Sequence, residues 1–166
     1  MKKIMLLFAL VLLGITDASA QQENEELKIK PLLGLWQYAE EVTMPDGQTA
    51  YIGKQIYKTI TPDKKYYVVL GIDIPIKMSE EAETKTSTMS FITHEGDIVI
   101  GSDNGYIEYI NRHYLDKTLD NTISNLRYRF NEKNSNILYL EYNLNGNDDE
   151  SWISEVWLRI IPYGTK

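Results

Sequence analysis

Gly34-Leu35-Trp36 opens the first strand-like segment of this chain, and Glu155-Val156-Trp157-Leu158-Arg159 closes the last one. Only β-patterned segments and turns lie between them. A chain that begins with Gly-x-Trp and ends with Trp-x-Arg predicts a small barrel whose first and last strands meet. Closing the sheet also removes the exposed edges that would otherwise recruit other chains.

The intervening pattern is a series of alternating runs with turn chemistry between them. Strands are predicted at Gly34–Met44, Thr49–Ile60, Tyr66–Ile74, Thr86–Glu95, Asp97–Gly101, Tyr106–Tyr114, Ser124–Phe130, Asn136–Leu144 and Ser151–Ile161. Pro45-Asp46-Gly47, Thr61-Pro62-Asp63, Asn104-Gly105 and Asn145-Gly146 supply the turns, and Asn-Gly tolerates the positive φ of tight hairpins. Gly96 separates a long run from a short one, Pro75 ends its strand, and Pro75–Lys85 reads as a solvated loop. Leu115, Leu119 and Ile123 recur every four residues, which predicts one short helix. There is no repeat, no βαβ alternation and no second compositional zone. The fold class that follows is all-β: an antiparallel up-and-down barrel of about eight strands with one short helix, an open β-sandwich being the rival arrangement.

Residues 1–20 read as a signal peptide rather than as fold. Lys2 and Lys3 form a basic start, Ile4 to Ile15 an apolar run too short to span a bilayer, and Ala18-Ser19-Ala20 a small-residue cleavage site. The expected organisation is a signal peptide over 1–20, a polar lead-in over 21–32 and a barrel domain over 33–163. The expected location is periplasmic or extracellular. The 146 residues after Ala20 suffice for one continuous core. They carry 15 basic and 23 acidic residues, a net charge of −8. Such a surface repels phosphate backbones and anionic lipid, so neither nucleic-acid binding nor membrane insertion of the mature chain is expected. With no cysteine, stability rests on packing and sheet closure.

Leu32 to Gln37 resembles the Gly-x-Trp first strand of the lipocalins and the wider calycin group. The mature chain as a whole resembles an uncharacterised lipocalin-like family of secreted bacterial proteins, through Tyr57–Ile60, Gly105–Ile110, Leu126–Tyr128 and Glu155–Ile160. The resemblance implies a barrel with one closed end, where Trp36 packs and Arg159 lies across it, with Gly34 and Trp157 beside them. It also implies binding of a small molecule, and it names none.

Period two places Tyr106, Glu108, Ile110 and Arg112 on one face of their strand, and Glu155, Trp157 and Arg159 on one face of theirs. If Trp36 points inward, Tyr38 does too. Tyr106 and Glu108 face inward with the strand parity that the resemblance implies, so Tyr38, Tyr106 and Glu108, with Tyr128 as a neighbour on the next strand, are the expected ligand-contacting residues. An interior carboxylate needs a partner, so Glu108 and Glu155 belong either to a polar floor that orients a ligand or to an internal network that only sets register. Twelve tyrosines occupy both phases of several strands, so some line a lumen and others an outer face.

His94 and His113 fall on different strands without ligand spacing, and no metal or cofactor is expected. Asn145–Glu150 is acidic but lacks the ligand order of a calcium loop, and Ser102-Asp103-Asn104 stands without companion β-lactamase elements. The expected function is a secreted lipocalin-like binding protein for a small, largely apolar or aromatic molecule. The alternative is a filled barrel whose Tyr-rich exterior contacts protein or glycan. An enzyme using Glu108 or Glu155 as acid or base comes third, and no catalytic constellation is recognisable. Oligomeric state is left open.

Overall fold

The computed structural model describes residues 27–76, 84–101, 104–144 and 152–160. The signal-peptide expectation, the acidic run at 145–150 and the positions 102 and 103 lie outside the described residues. Residues 27–33 form a lead-in with a 3-10 turn at Lys30–Leu32, seeded by Pro31, whose fixed φ suits a first turn.

From Gly34 the chain forms a separate compact unit. It contains β1 (Gly34–Thr43), β2 (Thr49–Ile60), β3 (Lys65–Ile76), β4 (Lys85–Ile100), β5 (Gly105–His113), β6 (Thr122–Phe130), β7 (Ile137–Leu144) and β8 (Ile153–Arg159). Each pairs antiparallel with the next, and β8 returns to β1, so the sheet is a closed eight-stranded barrel. This is consistent with a lipocalin-like fold and removes the sandwich alternative. The two tryptophan motifs are direct partners across the seam, with Trp36 opposite Arg159 and Tyr38 opposite Trp157.

The turns use the residues expected of them. Gly47 adopts φ 80° between Met44 and Gln48, and Asn104 adopts φ 61° before Gly105.

Three local expectations change. The strands separated at Gly96 are one strand, β4, with a bulge at that point. Strand β3 runs through Pro75, because β2 pairs with it only as far as Leu70 and the missing proline N–H costs no ladder bond there. The one short helix expected from the stripe at Leu115 is present in a tighter and shorter form. A 3-10 turn forms at Lys117–Leu119, capped where Asp116 Oδ1 accepts from Thr118 N at 3.0 Å, and Ile123 belongs to β6. Asn121, at φ 60°, turns the chain out of it, and its N–H donates to Ile110 O of β5 at 2.7 Å.

One end of the barrel is filled. Trp36, Ile60, Tyr66, Tyr106 and Leu138 are each at most 2% exposed. Arg159 lies over Trp36, its guanidinium carbon 4.1 Å from the ring centre.

Candidate functional site

The interior is built by the inward phases of the strands. Strand β2 contributes Ile56, Lys58 and Ile60, β5 contributes Tyr106, Glu108 and Ile110, and β8 contributes Glu155 and Trp157. Above the filled end they leave a cavity of about 510 Å³. Leu115 and Leu119, from the β5–β6 connection, and Leu144, at the end of β7, border it on the opposite side. Ile56, Leu70, Ile110 and Leu126 form apolar walls.

The polar part of the cavity centres on an ion pair. Lys58 Nζ stands 2.8 Å from Glu108 Oε1, and the two side chains are 7% and 5% exposed. The ammonium also lies 5.4 Å from the Trp157 ring centre and 5.6 Å from that of Tyr66. A buried charge is tolerated where it is paired and hydrogen-bonded, and this one has a carboxylate and two aromatic faces. Glu155 accepts from Trp157 Nε1 at 2.9 Å. Burial, reinforced by the charge of Glu108, holds the Tyr66 and Tyr106 hydroxyls well above the ordinary tyrosine range.

Of the four expected ligand-contacting residues, Tyr38 and Glu108 line the cavity. Tyr38 meets Trp157 edge-to-face with ring centres 5.7 Å apart. Tyr106 and Tyr128 have the inward phase but lie too far toward the filled end. They belong to an aromatic column in which Tyr106 meets Tyr128 at 6.0 Å, Tyr128 meets Phe130 at 5.8 Å and Phe130 meets Trp36 at 6.3 Å. Their height along the barrel places both outside the cavity lining.

Tyr142 of β7 also lines the cavity, whereas Tyr51 and Tyr139 meet outside it. Tyr51 and Tyr139 share a hydroxyl–hydroxyl hydrogen bond of 2.7 Å, which pushes Tyr51 up to about 12, and Arg129 stacks over Tyr139 at 3.9 Å.

Lys58 and both histidines were missed from sequence. For Lys58 the signal was present, because it interrupts the apolar phase Ile56–Ile60. For the histidines it was not. Asn111 is an extra residue in β5, since Glu95 pairs with Arg112 and Gly96 with Ile110. This bulge reverses the phase of β5, so Arg112 turns outward, against the parity expectation, and His113 turns inward. His113 then faces His94 directly across the ladder, and the rings stack at 5.1 Å and 12°.

Gly96 permits the bulge, for a Cβ there would lie 1.8 Å from the Tyr109 carbonyl oxygen. One row of the sheet thus runs Lys58, Val68, His94, His113, and all four line the cavity. Burial first, then the charge of Lys58, lowers His94 to about 3 and keeps it neutral. Among the described residues no group of three or more His, Cys, Asp or Glu is placed to hold a metal ion.

The chain belongs to a family described as a domain of unknown function (DUF4488), which matches residues 31–164. No curated protein matches it.

Proposed function

We propose that this member of the DUF4488 family is a lipocalin-like binding protein, exported to the periplasm or beyond the cell, that holds a small, largely apolar or aromatic molecule in its barrel. The observation that carries this reading is the cavity of about 510 Å³, within the range of small-molecule sites, with apolar walls and a few convergent polar groups. Tyr38 and Trp157 offer an aromatic ligand an edge and a face.

The two interior carboxylates support binding over catalysis, because Glu108 is engaged by Lys58 and Glu155 by the Trp157 indole. The exterior tyrosines favour the rival docking reading less, since Tyr51 and Tyr139 bond to each other.

Fluorescence titration with N-phenyl-1-naphthylamine tests the proposal, alongside native mass spectrometry of protein purified from its own host. A saturable 1:1 signal, or a co-purifying mass, supports it. An absence of both rejects it in favour of a module that acts through its outer face.

A further inference from the structure

The hydrogen bonds around the stacked histidines assign their tautomers. Thr93 is the extra residue of a bulge in β4, between the Val68–His94 and Val69–Ile92 pairs. Its single hydroxyl proton goes to Val68 O at 3.2 Å. The 3.1 Å contact between Thr93 Oγ1 and His94 Nδ1 must then use the ring proton, so Nδ1–H of His94 donates. A neutral His94 therefore leaves Nε2 as a lone-pair acceptor, and burial beside Lys58 keeps it neutral.

His113 has the opposite arrangement. Its Nδ1 accepts from Asp116 N–H at 2.8 Å, so the neutral ring carries its proton on Nε2. Neither Nε2 has a hydrogen-bond partner among the described residues. On one wall of the cavity, two nearly parallel rings 5.1 Å apart thus offer an acceptor next to a donor.

Resting on the binding reading above, we propose that this pair selects the ligand's polar edge: a neutral group with an N–H donor adjacent to a carbonyl acceptor, as in a lactam, a cyclic imide or a primary amide. The ligand N–H donates to His94 Nε2, and the ligand carbonyl accepts from His113 Nε2–H. Hydrogen bonds of about 2.9 Å can splay from the two adjacent ligand atoms to reach one ring each. The apolar body of the ligand then lies along the walls by Leu70 and Ile110. A carboxylate is disfavoured, because it brings two acceptors to a site with one donor and meets the carboxylate of Glu155 in the same cavity, where the Lys58 ammonium is already engaged by Glu108.

The test is displacement of N-phenyl-1-naphthylamine from the intact barrel by three flat bicyclic molecules. These are 2-quinolinone, its N-methyl twin, which lacks the donor, and 2-naphthoate. Expected is binding of 2-quinolinone at least about tenfold tighter than of either competitor, equal to about 1.4 kcal/mol. Within His94→Phe the ratio of 2-quinolinone to N-methyl affinity should fall to about one. His113→Phe, which removes the donor to the carbonyl both molecules share, should weaken 2-quinolinone severalfold, and the exterior Tyr139→Phe should leave both the affinity and the ratio unchanged.

Equal affinities for the twins in the unaltered protein, or tighter binding of 2-naphthoate, overturn the edge assignment and leave the binding function standing. No saturable signal from the naphthylamine itself overturns both.

Discussion

Lys58 of β2 and Glu108 of β5 meet inside the barrel at 2.8 Å, each almost wholly removed from solvent. They come from strands fifty residues apart in sequence, and their contact ties one side of the interior to the other. Removing one partner strands the other charge in a low-dielectric interior, whereas removing both does not. Glu108→Gln should therefore lower stability by about 3–5 kcal/mol, and Lys58→Met with Glu108→Leu by distinctly less than Glu108→Gln alone. Urea unfolding of the two variants checks this. A double variant as unstable as the single one would mean that the pair does more than neutralise itself.

Trp36 is 1% exposed, and its ring is covered by Arg159 at 4.1 Å. Trp36→Ala should cost about 3–5 kcal/mol, as for other large buried aromatics. Arg159→Leu should cost less, since the cation–π contact it removes contributes about 0.5–2 kcal/mol. An unchanged unfolding midpoint for Trp36→Ala would remove that ring from the core.

Gly96 has no room for a methyl group, because the Tyr109 carbonyl occupies it. Gly96→Ala must open the β4–β5 ladder where Asn111 is bulged, with a cost of at least about 1–3 kcal/mol. The same shift separates His94 from His113. Near-ultraviolet circular dichroism with thermal unfolding checks it, and a variant as stable as the parent would place the bulge elsewhere.

His94 gives stability a pH dependence of determined sign. Its folded value, about 3, lies below the ordinary histidine value of 6.5. Between these limits the unfolded chain binds more protons than the folded one, so stability falls as pH falls. The contribution is complete above pH 6.5 and is lost progressively toward pH 3. Carboxylates such as Asp97, held low by Lys65 and Asn111, add loss in the lower part of that window. The informative quantity is thus the difference from His94→Phe, whose urea midpoint should vary less between pH 4 and 7. Parallel curves for the two proteins would refute neutral burial.

Export implies a mature chain beginning at Gln21, after Ala18-Ser19-Ala20. Amino-terminal sequencing of protein recovered outside the cytoplasm reads this directly, and a Met1 start would remove both the cleavage and the location.

The barrel was legible in the sequence because its signals are local or periodic. Side-chain alternation marked the strands, Asp46-Gly47 and Asn104-Gly105 marked turns, and the two tryptophan motifs marked the strands that close the sheet. Period two set which residues share a face, Tyr38 with Trp36, Glu108 with Tyr106 and Trp157 with Arg159, and the resemblance supplied which face was inward. What period two could not reveal was height and phase. Tyr106 and Tyr128 point inward but pack into the column below the cavity, because position along the barrel depends on how eight strands are staggered. Lys58 finds Glu108 only once the sheet has closed. The histidine pair depends on a single extra residue, Asn111, accommodated by a glycine on the neighbouring strand. A bulge is a property of two strands in register, so neither strand's own sequence could announce that His113 would face the lumen.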